Sequence, residues 1–362
     1  MPDANPEPPK PPATPAAGPR PRLSVRHYLR RWGTIRDCPG RLEGALIGVA
    51  CILLVLFVWQ VLTAGEYEER IVAYYSLPSP RETAESFHSL WFERALARSA
   101  LRSLGRVLGG FALAIAVGVP LGVGAGAFKR LNAFLRPLSI FGRNIPIAAL
   151  IGLTVLWFGI GEAQKVMFIF LAAVAFVLFD SASAVDSVPD TYLDTAYTLG
   201  ARFRPLRGLA WAGLIALAYG LVFGLAYSEL VSRPAERDAV LLSAWNRGLA
   251  TTVLLGFAVG CLLWFPIVSF QAVRKVLLPL ALPDITNSLR LLFGLAFGYI
   301  MLAEAINAEH GLGAIINVSM RQGPREHIFL SLIIIAILAF AIDRGILSLQ
   351  RWLFPYRDLG EK

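Results

Sequence analysis

The sequence predicts an all-α membrane protein, a polytopic bundle of transmembrane helices. Of its 362 residues, 56% are hydrophobic and only 16% are charged, a balance too apolar for a soluble domain. Several stretches approach the roughly 20 apolar residues that a helix needs to cross a bilayer, and the clearest runs from Gly44 to Thr63. We expect about eight spans, near residues 44–63, 101–127, 137–158, 165–185, 209–231, 248–269, 286–306 and 328–349.

Five regions follow from these apolar runs. The first 21 residues contain nine prolines and no apolar run, which predicts a solvated tail and not a secretory signal. The expected regions are a disordered, proline-rich and basic tail (1–42), a first transmembrane helix (43–64), an extracytoplasmic segment (65–100), a membrane core (101–350) that includes a transmembrane hairpin (204–269), and a C-terminal tail (351–362).

The charges beside the first span predict its orientation. Eight Lys and Arg residues precede it, against four acidic residues, and such an excess holds a segment in the cytoplasm. Eight spans then place both termini in the cytoplasm, with the chain in the cell's inner membrane. The mixed charges of residues 64–100 are a mild contrary signal. Because this topology explains the net charge of +9, we expect membrane lipid and no nucleic acid as a partner.

Several classes of enzyme site are excluded by the motifs that the sequence lacks. It contains no phosphate-binding G-x-x-x-x-G-K-[ST] loop, no nucleophile elbow and no His-Glu-x-x-His zinc site. The four histidines are scattered without metal-ligand spacing, and the three cysteines form no disulfide framework. We therefore expect no catalytic residues, no metal and no cofactor in this chain.

Two amphipathic fragments edged with basic residues flank the predicted hairpin: Leu193–Ala201 and Phe270–Pro283. In the first, helical spacing gives a polar and an apolar face; the polar members are Asp194, Tyr197 and Thr198, and the apolar ones are Leu193, Ala196 and Leu199. Gly200 can supply the positive φ that ends a helix. A short helix of this kind can dock in a groove of a soluble partner. Alternatively, the basic residues around it are anchors at the cytoplasmic ends of spans.

Three further stretches carry a resemblance to a known family. The first is Leu77-Pro78-Ser79-Pro80 followed by Ser103–Phe111, the second is Arg143–Pro146 followed by Leu156–Glu162, and the third is Ala303-Glu304 followed by Gly311-Leu312-Gly313. In this order, and with the two amphipathic fragments, they resemble the inner-membrane permease of a type I ABC importer. The most similar branch is the one that serves nitrate, sulfonates, taurine, bicarbonate and related small solutes.

The resemblance implies a fold, partners and contact residues. It implies a type I importer bundle that works as a dimer with a second permease subunit, two cytoplasmic ATPase subunits and an extracytoplasmic solute-binding protein. Segments 190–203 and 270–283 would form the coupling loop to the ATPase, through contact residues that the resemblance places at Asp194, Ala196, Gly200, Leu278 and Pro279.

This sequence departs from the family pattern in two ways. It has Asp194-Thr195-Ala196 where the family usually has Glu-Ala-Ala, and Gly200 and Pro279 lie 79 positions apart where the family places them close together. An even number of inserted spans returns the chain to its starting side, so we expect the hairpin to leave both fragments adjacent. Alternatively, the insertion has abolished ATPase docking.

Charged residues at membrane depth are candidates for a translocation path. We place Arg143, Asp180 and Glu304 in this group. Arg143 could attract an anionic solute, or it could instead pair with a carboxylate or extend towards the lipid headgroups. The same three residues would form the relay of a rival function, a secondary transporter driven by an ion gradient. A third class is a membrane scaffold subunit that moves no solute.

Overall fold

The structure is a computed structural model that describes residues 40–65, 70–230, 239–306, 310–322 and 324–356. Most of the predicted N-terminal tail and the last six residues of the C-terminal tail lie outside this range. The described part of the chain divides into two units between Leu62 and Thr63. The described part of the first unit is helix α1, Arg41–Leu62. It has no charged residue after Glu43 and is long enough to cross a bilayer.

The described part of the second unit is built from helices. In chain order they are α2 (Pro80–Glu85), α3 (Phe87–Phe92), α4 (Leu96–Ala127), α5 (Lys129–Asn144), α6 (Ile147–Phe158), α7 (Glu162–Asp186), α8 (Asp190–Thr198), α9 (Pro205–Leu230), α10 (Ala239–Ser269), a π-helical turn (Val273–Leu277), α11 (Leu278–Glu304), α12 (Leu312–Gln322) and α13 (Arg325–Leu353). Within the described residues, the extended pairing is a single antiparallel bridge between Phe203 and Phe270.

The prediction of an all-α polytopic bundle is confirmed. Seven described helices are long and apolar enough to span a membrane, and the bent pair α5–α6 raises the number to eight if it counts as one span. The predicted span at 137–158 is broken, because α5 and α6 meet at an angle of 102°. Pro146 disfavours helical backbone at the preceding residue, and Ile145 is accordingly extended, with ψ 127°.

Helices α4 and α7 pack in parallel along their length. Small residues recur every four positions on α4, at Gly110, Ala114, Gly118, Gly122 and Gly126. A Cβ atom on Gly122 would lie 2.5 Å from the carbonyl oxygen of Leu178, and one on Gly126 would lie 2.7 Å from that of Ala182. These glycines therefore permit a close approach of the two backbones, as small residues do between membrane helices.

The core of the second unit lies where α4 and α7 meet α11. Phe168 on α7 and Ile300 on α11 are fully enclosed, and Phe297 on α11 is almost so. The two ends of the bundle are named after a residue that lies at each. We call the end where α7 begins and α11 finishes the Glu304 end. We call the end where α4 and α7 finish and α11 begins the Gly200 end.

An ion pair orders the segment that precedes α4. Ser79 caps α2 in a reciprocal capping box with Glu82, and Arg70 donates to both oxygens of the same carboxylate, at 3.2 and 2.8 Å. The hydrogen bond from Arg70, assisted by those from Ser79, lowers the pKa of Glu82 to about 2. Tyr74 and Ser89 attach this segment to α13, through Glu326 and His327.

Candidate functional site

The Gly200 end carries the short helix α8, which the sequence singled out as a docking element. Pro189 precedes its first residue, Asp190. At its other end Gly200 has φ +84°, which confirms the predicted positive φ. The Gly200 N–H donates to Tyr197 O at 3.0 Å, and the Ala201 N–H donates to Ala196 O at 2.9 Å. This is the bond pattern of a glycine-terminated helix, and it fixes the direction in which the chain leaves α8.

One face of α8 is open, as predicted. Ala196 is buried, whereas Asp194 and Thr198 are exposed and Tyr197 is 59% exposed. Leu199, which helical spacing assigns to the apolar face, has a side chain that is 83% exposed. Leu199 is the C-cap, with ψ 6°, so it lies beyond the last helical turn and leaves the packed face. The result is an exposed surface that combines a carboxylate with aromatic and aliphatic groups.

The second fragment lies beside the first. Phe203 and Phe270 form the antiparallel bridge, and their rings are 4.8 Å apart. The Arg202 N–H donates to the side-chain oxygen of Gln271 at 3.1 Å, and the Arg204 N–H donates to Ser269 O at 2.9 Å. The predicted adjacency of the two fragments across the hairpin is therefore confirmed.

Residues 276–283, which lie between the predicted spans at 248–269 and 286–306, are helical. The π-helical turn runs directly into α11, of which Leu278 is the first residue. Proline is tolerated in a first helical turn, so Pro279 does not interrupt it; its carbonyl accepts from Tyr356 at 2.8 Å. The continuous helical run of 32 residues is roughly 48 Å long at 1.5 Å per residue. That exceeds the roughly 30 Å of a bilayer's hydrocarbon core, so this run is long enough for its first turns to extend past it.

The Glu304 end holds a buried ion-pair network centred on Arg106 of α4. The Arg106 side chain is 4% exposed. Its Nε and Nη2 each donate to Glu162 at 2.6 Å. Its Nη1 donates to Glu304 at 2.7 Å and to the carbonyl of His310 at 2.7 Å. One guanidinium thus connects α4 to the start of α7 and to the end of α11.

The carboxylate of Glu304 is fully enclosed and well supplied with donors. Besides Arg106, the Ser103 hydroxyl lies 2.7 and 2.8 Å from its two oxygens, and the Gly313 N–H donates to it at 2.9 Å. A buried charge is tolerated only when paired and hydrogen-bonded in this way. Glu304 is therefore a structural junction of α4, α11 and α12.

The three proposed path residues are not brought together. Arg143 and Asp180 lie towards the Gly200 end, whereas Glu304 belongs to the Arg106 network. Arg106 contacts Glu162, and Asp180 is 18 residues further along α7, roughly 27 Å at the helical rise. Sequence reasoning noted Glu304 but missed its partners Arg106 and Ser103. The position of Arg106 inside the predicted span at 101–127 was the available signal.

The family is settled by the match of the chain to a sequence profile described as "Binding-protein-dependent transport system inner membrane component", at residues 118–270 and 267–356. The chain belongs to this family. Its members are permease subunits of ABC transporters, so the predicted class of membrane transport protein is confirmed.

Two relatives extend the comparison over most of the chain. The taurine transport system permease protein TauC of Escherichia coli is 25% identical over 340 residues, which cover 92% of this chain and 96% of TauC. The bicarbonate transport system permease protein CmpB of Synechococcus elongatus is 25% identical over 319 residues, 86% of this chain and 91% of CmpB. A solved structure of the MetNI methionine ABC transporter in an inward facing conformation aligns with a TM-score of 0.49 and 16% identity, covering 74% of this chain and 98% of the matched chain.

Proposed function

We propose that this protein is the membrane permease subunit of an ATP-driven ABC importer for a small anion of the sulfonate, taurine, bicarbonate or nitrate class. It works as a homodimer in the inner membrane, with both termini in the cytoplasm. A cytoplasmic ATPase dimer supplies energy, and an extracytoplasmic solute-binding protein delivers the anion. The family match and the taurine and bicarbonate relatives support the transport class.

The observation that carries the coupling mechanism is the bridge between the two fragments. A groove of the ATPase holds the exposed face of α8, including Asp194 and Tyr197. The turn at Ser187–Pro189 joins α8 directly to α7, and the contacts of Arg202 with Gln271 join it to the start of α11. Because α7 and α11 share the buried core, a displacement of α8 moves both helices together.

The energy for transport comes from ATP hydrolysis by a separate protein. The sequence has no phosphate-binding loop, and the exposed face of α8 offers a carboxylate and two tyrosines in place of a nucleotide site. ATP-driven closure of the partner dimer would move the two copies of α8 and thereby alternate access between the membrane faces. Leu278 and Pro279, at the start of α11, are proposed as a second edge of the docking surface.

Reconstitution tests the proposal. The chain is purified with its candidate Walker-type ATPase and placed in proteoliposomes together with its candidate solute-binding protein, with taurine, bicarbonate and nitrate as solutes. Asp194→Ala and Tyr197→Ala are expected to reduce ATP-dependent uptake and ATPase co-purification at least tenfold. Glu85→Ala, which removes an exposed carboxylate at the opposite end, serves as the matched control. Uptake by the chain alone under a proton or sodium gradient would overturn the proposal and favour the secondary transporter.

A cross-link tests the geometry separately. In a variant whose native cysteines are replaced, Ala201→Cys and Gln271→Cys are expected to form a disulfide readily in intact vesicles, because Gln271 is hydrogen-bonded to Arg202, the neighbour of Ala201. A cysteine pair at Ala201 and Glu85 is the negative control. Reproducible failure of the first pair to cross-link would contradict the adjacency on which coupling depends.

A further inference from the structure

A groove of about 580 Å³ lies between α5 and α7, near the Gly200 end. Its wall combines hydrogen-bond donors with a small apolar cluster formed by Ala125, Leu135, Leu178 and Ala182. The Arg106 network and the exposed surface of α8 contribute no residue to it. The groove therefore needs an explanation separate from the coupling mechanism.

The groove is strongly basic. Helix α5 contributes Lys129, Arg136 and Arg143, which follow one another at seven-residue intervals and so share one helix face. The acidic side chain in the wall is Asp186, which pairs with Lys129 at the rim. Arg136 and Arg143 therefore leave an excess of positive charge facing the groove. Asp180 attracts Arg143 electrostatically but is not part of the wall.

Two buried polar atoms in this wall have no partner within the described residues. Ser139 is 4% exposed and lies on α5 between the two arginines, and its hydroxyl makes no hydrogen bond. The buried Nε–H of Arg143 also lacks an acceptor. Buried polar groups are nearly always satisfied in folded proteins. Two unmatched donors in one basic groove indicate that an acceptor is to be supplied by a bound molecule.

The side chain of Arg143 is positioned by its contacts with α7. Its guanidinium carbon lies 3.6 Å from the centre of the Phe179 ring, so the ring covers one face of the guanidinium. The adjacent Gly142 permits this approach, because a Cβ there would lie 2.6 Å from the Cβ of Ala175. A stacked guanidinium keeps its N–H edge open, and that edge matches two oxygens of one anion.

We propose that this groove is a binding site for an oxyanion, such as a phosphate, sulfate or sulfonate group. Arg143 and Arg136 hold its oxygens, and Ser139 donates a further hydrogen bond. The anion is either a free solute or the headgroup of an anionic lipid, since the groove lies near the ends of α4 and α7. The inference does not depend on the proposed transport function, because binding requires neither the ATPase nor solute movement.

Binding measurements on the full chain in a nonionic detergent test the site. In one arm, sodium sulfate and inorganic phosphate are titrated by calorimetry at constant ionic strength. In the other, phosphatidylglycerol and phosphatidylcholine are added in mixed micelles, and bound lipid is counted by native mass spectrometry. The variants are Arg136→Gln, Arg143→Gln and Ser139→Ala. The matched control is Arg130→Gln, an exposed arginine on the same helix outside the groove.

Saturable binding of sulfate or phosphate identifies a free anion, and selective binding of phosphatidylglycerol identifies a lipid headgroup. In either case Arg136→Gln and Arg143→Gln are expected to weaken binding about tenfold or more, whereas Arg130→Gln changes it less than twofold. If Arg143→Gln does not fold, the exposed Arg136 carries the test. Absence of saturable binding in both arms, or equal weakening by Arg130→Gln, would overturn the proposal.

Discussion

The Arg106 network makes a quantitative prediction about stability. Arg106→Ala leaves the enclosed carboxylate of Glu304 without its cation and also removes two 2.6 Å bonds to Glu162. Removing one partner of a buried ion pair costs about 3–5 kcal/mol, because the other charge stays buried and uncompensated. Glu162 is itself 53% exposed, so Glu162→Gln should cost only about 1 kcal/mol. Loss of the contact between Arg106 and Glu304 should therefore cost several times more stability than loss of the contact between Arg106 and Glu162.

The assay is the thermal unfolding of the purified chain in a nonionic detergent, read for single variants and for the pair. Arg106→Met and Glu304→Leu should each lower the unfolding midpoint strongly, and the double variant with both substitutions should lower it much less than the two single effects added together. Such non-additivity is expected for residues in direct contact. Equal effects of Arg106→Ala and Glu162→Gln, or strict additivity in the double variant, would refute the assignment of Glu304 as the buried partner.

Two further predictions concern other contacts. Glu82 has a pKa of about 2 in the folded chain against an ordinary 4.5, so its stabilising effect, about 1–2 kcal/mol after screening, is complete above pH 4.5 and is lost as the pH falls towards 2. Glu82→Gln should remove this pH dependence of the unfolding midpoint. If the variant loses stability at acid pH as the unmodified chain does, the prediction is contradicted. Gly122→Ala places a Cβ 2.5 Å from a carbonyl oxygen and should lower the free energy of unfolding by about 1–3 kcal/mol. Gly105→Ala, the control, has open space around the new Cβ and should not destabilise the chain. Equal unfolding midpoints for the two variants would contradict the close packing of α4 against α7.

The sequence predicted those features of the fold that depend on neighbouring residues alone, such as the apolar spans and the turn at Gly200. Run length identified the spans because a bilayer sets a minimum helix length, and Gly200 was recognised because few other residues adopt positive φ. Hydropathy did not predict the size of the bend within 137–158, because it averages over the break that Pro146 imposes.

Partners far apart along the chain could not be predicted in the same way. Arg106 contacts residues 56 and 198 positions away, and nothing in the local sequence says which carboxylate an arginine will meet. The groove between α5 and α7 depends on the 102° bend, which turns a basic segment expected within a span into a separate amphipathic helix. The Arg106 network and the groove both depend on tertiary contacts, which composition does not predict.

The hairpin formed by α9 and α10 offers a test of how the coupling fragments were separated. Its two ends meet at the Phe203–Phe270 bridge, and the Cα atoms of directly opposed residues in an antiparallel pair are about 4.5–5.5 Å apart. A peptide bond spans 3.80 Å. Excision of residues 204–269 therefore joins Phe203 to Phe270 with a shift of about 1–2 Å, and it brings Gly200 and Pro279 close together in sequence.

We expect the shortened chain to insert and to retain the Arg106 network, because that network lies at the other end of the bundle. The hairpin does contact the core, through Tyr219 and the carbonyl of Ala116 on α4, so a moderate fall in the unfolding midpoint is expected. The control excises α10 alone, Ala239–Ser269. That change removes one span and so reverses the side on which α11 begins, which should abolish folding. Survival of the control together with loss of the 204–269 variant would show that the hairpin is an integral part of the bundle and not an insertion.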